Sequence, residues 1–504
     1  MSSKIRASLI FFLIFVAAMI AMHGPFLKLP YHWDELGQFV PASLDIYQKG
    51  AWIPQSAQPN VHPPAVMAYL ALVWKIFGYS IPATRVAMLV IASAGLLFSF
   101  LLAIRLSRKT SGAPAFAAVI FMMATPMFYT QSMMAQLDMP AMVVTALALL
   151  LFLEDRIVWC AVACTLLVLV KETGISTPFV LAAWLWIHDK RRREALYFLA
   201  PAIALAIWLI ALHHATGHWF GNAEFTKYNV SDSLQPGHIA MTLERRIYFL
   251  FLSDGLWIGA ITLFVGSRLL KGREWTIAFI TAGAQILLVT IFGGASLDRY
   301  AMPLYPVLFA AIAAAGSALP QSWRWTTQAA MTFALMLGLF FNPPYPFSFE
   351  NNLAMVDFVS LQKEAANYLE VYAPEKRIAS AWPFVDAVAR PEFGYVARPL
   401  KVTGRAEDFL LTSLADLDRN QVDVLVVFSR TWALDGGALD YAWVRKYIQL
   451  NWGHHIQASP EQIRAALGFV PVLRWARHGQ WIEIYLPERE MAADERRCLL
   501  DSTE

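Results

Sequence analysis

The sequence predicts an α-helical polytopic membrane protein with a small α/β domain at its C-terminal end. Of its 504 residues, 58% are hydrophobic and only 15% are charged, whereas soluble globular proteins carry about 25% charged residues. The apolar residues form runs that can cross a bilayer, which takes about 20 helical residues. After Phe341 the chain is far less apolar, and Asn342-Pro343-Pro344-Tyr345-Pro346 predicts a helix break. We therefore expect a membrane domain over residues 1–344 and a soluble domain over residues 345–504.

Hydropathy predicts about eleven spans. The first follows Lys4 and Arg6 and is expected to remain uncleaved, because no small-x-small cleavage site comes after it. The predicted spans are Ser8–Met22, Ala83–Ile104, Ala113–Tyr129, Met139–Leu153, Ile157–Val170, Ile175–Ile187, Ala195–Leu212, Phe249–Gly266, Trp275–Phe292, Ala301–Leu319 and Thr326–Phe341.

Basic residues between the spans predict the orientation. They concentrate in three alternate connections, at 105–109, 190–193 and 268–273, on the side that also holds Lys4 and Arg6. The positive-inside rule makes that side cytoplasmic. We expect a multi-pass protein of the inner (plasma) membrane, with the C-terminal domain on the extracytoplasmic side.

The C-terminal domain shows patterns of both helices and strands. Met355–Val371 has helical spacing, and Asp423–Phe428 is a short apolar run typical of a buried strand. Ser459-Pro460-Glu461-Gln462 predicts a helix start, while Phe469–Trp475 and Trp481–Leu486 predict a terminal hairpin. The domain lacks a GxGxxG loop, so a nucleotide-sugar site is not expected there. It either recognises an acceptor or covers an active site.

The unusual ionisable residues share the predicted outer face. Such groups cost several kcal/mol at membrane depth unless they are paired or hydrated, so their collection at one interface predicts a site for a charged, membrane-borne substrate. They are Asp34 and Glu35 in the first outer loop (23–82), Asp138 at the start of a span, Lys171 and Glu172 between two spans, and Asp298 with Arg299 and Tyr300.

Each group also has a purely structural interpretation. Asp34 and Glu35 are also consistent with a solvated loop. Asp138 is also suited to cap its helix, because a carboxylate is favoured at a helix N-terminus.

Three more groups have such alternatives. Lys171 and Glu172 would suit an interfacial ion pair, and Arg299 with Tyr300 an interfacial anchor. His62, followed by two prolines, is typical of a structural corner.

Neither a nucleic-acid partner nor a cofactor is expected. A net charge of +3 is too small to indicate nucleic-acid binding. The histidines at 213, 214 and 218 have no acidic or cysteine partner at ligand spacing, so we predict no metal site, although a divalent cation is left open.

Several runs, taken together, resemble the GT-C superfamily of integral membrane glycosyltransferases. They are Asp34-Glu35, His62-Pro63-Pro64-Ala65, Trp74-Lys75-Ile76-Phe77-Gly78, Leu137-Asp138-Met139-Pro140-Ala141 and the segment 297–306. The resemblance covers about residues 1–345. Within the superfamily it is nearest to bacterial relatives of the protein O-mannosyltransferases and of the lipid A aminoarabinose transferase.

The resemblance implies a polyprenyl-phosphate sugar as donor, used on the side of the membrane away from the cytoplasm. It implies a catalytic aspartate in the first outer loop, at Asp34. Asp138 matches the family's acidic residue at the start of a later span, Arg299 its Arg-Tyr run, and Lys171 its lysine turn. Glu172-Thr173-Gly174 departs from the small residues that follow this lysine in many relatives.

The residues also support a mechanism on physical grounds. An acceptor hydroxyl needs a positioned base, and Asp34 is our candidate. A lipid phosphate departs without a general acid, but its developing charge requires cations; we assign this role to Lys171 and Arg299, with Tyr300 beside them. A single displacement would invert the anomeric centre.

Four further residues complete the predicted site. Glu35 or Asp138 would orient the base or the acceptor, and we group both with Asp34 as catalytic candidates. Trp33 and His62 are the candidates for substrate binding. The acceptor class (lipid, polysaccharide or protein) is left open by the sequence.

Two other functions compete with a transferase. A transporter or flippase of lipid-linked sugars usually has paired halves with broken helices at matching positions, and the sequence has no such symmetry. A non-catalytic envelope assembly protein would have no need of Asp34 and Arg299.

Overall fold

The computed structural model describes residues 3–108, 115–341, 350–430, 441–451 and 457–488. The chain divides into two compact units. The helical unit comprises Met1–Leu27 and Gln38–Phe341, and the sheet unit comprises Lys28–Gly37 and Asn342–Glu504. The segment Lys28–Gly37, which the sequence places in the first outer loop of the membrane domain, therefore packs with the C-terminal residues. The predicted helix break at 342–346 lies outside the described residues.

The helical unit is built mainly from apolar helices. Its α-helices are α1 (Ser3–His23), α2 (Val40–Lys49), α3 (Ala65–Phe77), α4 (Ile81–Leu106), α5 (Ala115–Ala124), α6 (Pro126–Gln131), α7 (Asp138–Leu153), α8 (Ile157–Val170), α9 (Ser176–Ile187), α10 (Arg192–Ala195), α11 (Leu199–Thr216), α12 (Ala223–Thr226), α13 (Pro236–Phe251), α14 (Leu256–Gly266), α15 (Arg273–Ile291), α16 (Tyr305–Ala315) and α17 (Gln321–Gly338).

Among the described residues, five helices have the length and composition to cross a membrane, or six if one bent pair counts as a single span. The five are Ile5–Phe26, Ile81–Leu106, Arg192–Thr216, Arg273–Ile291 and Asp298–Ala318, and the pair is Pro236–Phe251 with Ser253–Leu269. Four shorter apolar helices accompany them: Ala65–Phe77, Ala115–Ala124, Asp138–Leu153 and Ile157–Val170. The predicted count of about eleven spans is not confirmed.

Two of the predicted spans are interrupted for local reasons. Ala113–Tyr129 is divided into α5 and α6 at Pro126, because proline lacks the amide hydrogen that would continue the helix. Phe249–Gly266 is divided between α13 and α14, which meet at 46°. There, Asp254 (φ 51°) and Gly255 (φ 80°) adopt left-handed backbone conformations.

Ion pairs join the three basic connections at one end of the helical unit. The pairs are Arg105 with Glu154 (2.9 Å) and Glu274 (3.4 Å), Arg191 with Asp155 (2.5 Å), and Arg273 with Asp189 (2.6 Å). The connections at 105–109, 190–193 and 268–273 therefore share an end, as the charge pattern predicts; Lys109 itself lies outside the described residues.

The start of helix α7 lies at the opposite end of the helical unit from these connections. It packs against α4, α8 and the 3-10 helix Asp298–Leu304, and most of its side chains are buried. It rises about 24 Å over its length at 1.5 Å per residue, and α8 returns after a short turn at residues 154–156. Asp138 and Lys171 therefore lie at the end opposite the basic connections.

The sheet unit holds a mixed five-stranded sheet of order β2-β1-β3-β5-β4. β1 is parallel to β2 and β3, and β5 is antiparallel to β3 and β4. Helix α18 packs against β4 and β5. The elements are α18 (Ala354–Tyr372), β1 (Ile378–Ala381), α19 (Phe384–Ala389), β2 (Val402–Ala406), α20 (Leu411–Ala415), β3 (Val424–Phe428), α21 (Ala442–Asn451), α22 (Pro460–Leu467), β4 (Phe469–Arg477) and β5 (Gln480–Pro487).

All four secondary-structure predictions for this unit are confirmed. The helix predicted at 355–371 is α18, and the buried strand predicted at 423–428 is β3, whose five residues are all buried. The terminal hairpin is β4–β5. Helix α22 begins with a capping box between Ser459 and Gln462 and has Pro460 as its first residue.

An ion pair fastens the starts of β1 and β3. Arg377 donates from Nη2 to Asp423 Oδ1 (2.7 Å) and from Nε to Oδ2 (3.0 Å), and its backbone N–H donates to Oδ2 (2.8 Å). The hydrogen bonds from Arg377 hold the pKa of Asp423 well below its usual range. A carboxyl whose pKa is lower in the folded state stabilises the fold at higher pH.

Replacing Asp423 with asparagine is expected to destabilise the protein by about 1 kcal/mol at pH 7, the range of a well-formed, partly exposed pair. The difference from wild type should shrink below about pH 4, where unfolded aspartates become protonated. The measurement is the thermal unfolding midpoint of the purified full chain at pH 7 and pH 3. Glu488→Gln, in the more exposed pair with Arg464, is the control and should change little. An equal difference at both pH values would refute the assignment.

Candidate functional site

A buried carboxylate binds two cations at the end of α7. Lys171 Nζ donates to Asp138 Oδ1 (2.5 Å), and Arg299 Nε lies 3.0 Å from Oδ2. The three residues are 3% to 6% exposed. The sequence singled out all three, and the structure brings them together from segments far apart in the chain.

Local backbone structure explains this convergence. Leu137 precedes α7 and Asp138 is its first residue, without a side-chain capping bond, so the interpretation of Asp138 as a helix cap is wrong. Lys171 is extended (φ −152°, ψ 127°) where α8 ends. Arg299 lies in the 3-10 helix Asp298–Leu304, which contacts α7. The start of α7, the end of α8 and the 3-10 helix Asp298–Leu304 thus bring one carboxylate and two cations together.

The ring of Tyr300 is a second group that several cations contact. Lys171 Nζ lies 4.1 Å from the ring centroid, and the guanidinium carbons of Arg246 and Arg299 lie 5.6 and 5.8 Å from it. These distances suit cation–π attraction. Arg246 also donates from Nη1 to the carbonyl of Leu297. We call Asp138, Lys171, Arg246, Arg299 and Tyr300 the cationic cluster.

The charge of the cluster favours an anion. Its three cations face Asp138 and the buried Asp298, which interacts electrostatically with Arg246. Glu172 also interacts with Lys171, and Arg245 with Arg246, so that four cations and three carboxylates leave one positive charge in excess. Removing charges from water costs several kcal/mol per ion unless partners compensate, so a phosphate or carboxylate group would complete this arrangement.

His62 and Glu172 form a pair in the same unit. His62 Nδ1 lies 2.9 Å from Glu172 Oε2. The residue before His62 is also held, because Trp208 Nε1 donates to the carbonyl of Val61 (2.8 Å). Burial raises the pKa of Glu172, but His62, Lys171 and a backbone hydrogen bond together outweigh it and leave that pKa below its ordinary value. The close partner of Glu172 is therefore His62 and that of Lys171 is Asp138, whereas Lys171 and Glu172 interact only electrostatically with each other.

Arg299 does not have the surroundings of an interfacial anchor. It is 3% exposed and pairs with Asp138. His62 does occupy a corner, as the sequence predicts, because α3 begins immediately after Pro64. In addition, the centroid of its ring lies 5.9 Å from that of Phe39 and 5.7 Å from that of Phe225.

Asp34, Glu35 and Trp33 belong to the sheet unit. Glu35 is fully buried, and its Oε2 accepts the backbone N–H of His32 (2.8 Å). Asp34 is half-buried. Trp33 has a φ of 50°, a left-handed conformation that is uncommon for a bulky residue. The solvated-loop interpretation fails for Glu35.

The sequence analysis missed Arg246. It lies in α13 next to Arg245, and both arginines are buried. The available signal was Glu244-Arg245-Arg246 among apolar residues, since ionisable groups in such a helix are costly and often functional. The sequence did not predict that α13 contacts the segment 297–300, and this contact brings Arg246 to the cluster.

An apolar groove lies between α9 and α15. In the sequence, its first lining residue, Ile175, comes shortly after Lys171 of the cluster. Its volume is about 310 Å³ and its lining is almost entirely apolar. Ser176, at its start, donates to the side-chain oxygen of Gln285. The lining residues are Ile175, Ser176, Phe179, Ala284, Leu287, Leu288 and Ile291.

Within the described ranges, no group of three His, Cys, Asp or Glu side chains has the arrangement of a metal site. His213, considered as a ligand from the sequence, stacks on Trp219 with ring centroids 4.3 Å apart.

Three solved structures are similar to this one, two of them with a TM-score above 0.5. ArnT from Cupriavidus metallidurans bound to undecaprenyl phosphate matches with a TM-score of 0.57 and 15% identity, over 94% of this chain and 97% of that one. The apo state of ArnT also has a TM-score of 0.57, over 96% and 98%. The archaeal oligosaccharyltransferase AglB from Archaeoglobus fulgidus, in complex with an inhibitory peptide and a dolichol-phosphate, gives 0.47 at 12% identity, over 97% and 75%.

The match to ArnT shows a shared fold, as the resemblance of the sequence leads us to expect. No family matches the sequence. No curated protein matches it either.

Proposed function

We propose that this protein transfers a sugar from a polyprenyl-phosphate-linked donor to an acceptor hydroxyl, with inversion at the anomeric carbon. The observation that carries the proposal is the cationic cluster, a buried site with more positive than negative charge. A lipid phosphate is the anion that suits such a site in a chain with several apolar helices.

The cluster binds the donor phosphate in this proposal. Lys171, Arg246 and Arg299 supply the cations, and Asp138 holds Lys171 and Arg299 in place through its two oxygens. Arginine presents two parallel donors to a phosphate, whereas lysine acts as a point charge. The ArnT structure of the same fold is bound to undecaprenyl phosphate, which supports a lipid of this class. The groove between α9 and α15 suits part of its apolar chain.

Asp34 is the general base. It takes the proton of the acceptor hydroxyl as the oxygen attacks the anomeric carbon, and the bond to the lipid phosphate breaks on the opposite side. The electron pair of that bond leaves with the phosphate, whose new charge the cations stabilise. A general base contributes about 10²–10⁴-fold to such a step.

Glu35, Trp33 and His62 have supporting roles in the proposal. Glu35 is engaged with a backbone N–H and so shapes the turn that carries Asp34. Trp33 offers a ring for the sugar. His62, paired with Glu172, offers a hydrogen bond to the substrate.

In this proposal the reaction takes place on the extracytoplasmic face. Asp138 and Lys171 lie at the end of α7 and α8 opposite the joined basic connections, which the positive-inside rule assigns to the cytoplasm. We propose that the protein resides in the inner membrane, with the sheet unit outside the cytoplasm.

Mass spectrometry of envelope glycolipids and glycans tests the proposal. Wild type, a deletion strain, and the deletion complemented with wild-type chain are compared. Loss of one defined sugar on deletion and its return on complementation would identify both sugar and acceptor. Movement of a labelled lipid-linked sugar across vesicles containing the purified chain, with no change in any acceptor, would instead favour a flippase and contradict the transferase.

A further inference from the structure

The segment Lys28–Gly37 is held to the rest of the sheet unit by hydrogen bonds to both backbone groups of Tyr31. The N–H of Tyr31 donates to the carbonyl of Phe393 (3.2 Å), and the hydroxyl of Tyr395 donates to the carbonyl of Tyr31 (2.8 Å). Tyr31 and Tyr395 are both fully buried. Both backbone groups of Tyr31, three residues before Asp34, are therefore held by a short stretch after α19.

Aromatic contacts fasten the rest of the segment. The ring of Trp33 meets that of Trp382 edge to face, with centroids 4.3 Å apart at 73°. His32 meets Phe358 in α18 with centroids 5.4 Å apart. Gly37, at the segment's end, lies beside Trp382: a Cβ there would be in ordinary van der Waals contact with its ring, at 3.5 Å.

The contact from Trp382 comes from the carboxyl end of a parallel strand. Trp382 directly follows β1, which is parallel to both of its neighbours. Residues just beyond the carboxyl ends of parallel strands commonly carry binding and catalytic groups. Here that edge holds a peptide segment from elsewhere in the chain.

We propose that the sheet unit orients the base of the reaction, and that Tyr395 is a positioning residue for Asp34. The inference rests on the proposed function, in which Asp34 takes a proton. A buried carbonyl needs a hydrogen-bond partner, and Tyr395 supplies it to Tyr31. Loss of this bond removes one of the contacts that hold the segment and loosens it beside Asp34, and a displacement of about 1 Å in a catalytic group can cost about 10²-fold in rate.

The chain offers a matched control. Tyr485 in β5 is also a buried tyrosine of the sheet unit, and its hydroxyl donates to Glu483 Oε2 (2.6 Å). Tyr395→Phe and Tyr485→Phe each remove one hydroxyl and one hydrogen bond from this unit. Only the first bond reaches the segment that carries Asp34.

Two readouts on the purified full chain test the proposal: steady-state kinetics, and hydrogen exchange of the amides of residues 28–37. Tyr395→Phe is expected to speed this exchange and to lower kcat at least about tenfold with little change in KM, because positioning acts on the reacting step. Tyr485→Phe is expected to leave both close to wild type.

Equal kinetics for the two variants would overturn the positioning role, as would faster exchange of the segment with wild-type turnover. If Tyr395→Phe fails to fold, Trp382→Phe provides the same comparison from a half-buried side chain. Full turnover by Asp34→Asn would overturn the proposed function instead, and hydrogen exchange would still report whether the sheet unit holds the segment.

Discussion

Replacing Asp34 with asparagine is expected to lower kcat by about 10²–10⁴-fold, the usual contribution of a general base. Asparagine has the size of aspartate but cannot accept the acceptor's proton. Because Asp34 is only half-buried, the substitution should leave folding intact. The measurement is turnover by the purified full chain with the donor and acceptor identified from the envelope spectra.

Asp357→Asn is the matched control. Asp357 belongs to the same unit and pairs with His478 (2.9 Å), outside the proposed chemistry, so the same chemical change there should leave turnover within about twofold of wild type, as expected for a site away from the reacting groups. An Asp34→Asn enzyme as active as this control would remove Asp34 as the base.

Replacing Arg299 with glutamine is expected to cost about 10²–10³-fold in kcat, the scale found when one preorganised group that stabilises transition-state charge is lost. Arg299 is a suitable test because Asp138 keeps its bond to Lys171 in the variant, which limits the damage to the fold. Lys171→Met should have an effect of the same order, with Asp138 then held by Arg299.

Arg273→Gln controls for loss of an arginine from the same unit. It lies at the end with the basic connections, paired with Asp189, and should leave kcat near wild type. Wild-type kcat in Arg299→Gln, with intact folding, would show that the cationic cluster is structural and would remove its role in stabilising the leaving phosphate.

Local patterns in the sequence predict the local structure well. The capping box at Ser459, the strand at Val424–Phe428 and the β4–β5 hairpin each depend on neighbouring residues, and all are found. The membrane spans are harder, because hydropathy averages over a window and does not detect a break. Pro126 and Asp254 interrupt runs that remain apolar on average.

The site shows the same division between local and distant information. Asp138, Lys171 and Arg299 stand out singly, because each is an ionisable residue beside an apolar run. Their partners depend on how α7, α8 and the segment 298–304 pack, so the sequence suggested a Lys171–Glu172 pair, whereas the structure gives each of the two a closer partner. Arg246 was missed for the same reason.

Lipid binding by the purified wild-type chain tests the central claim most directly. Native mass spectrometry would compare undecaprenyl phosphate with undecaprenol, which has the same apolar chain and no phosphate. We expect the phosphate lipid to bind at least tenfold more tightly, about 1.4 kcal/mol or more, and Arg299→Gln to reduce that preference. Equal binding of the two lipids to the wild-type chain would contradict a phosphate site in the cationic cluster.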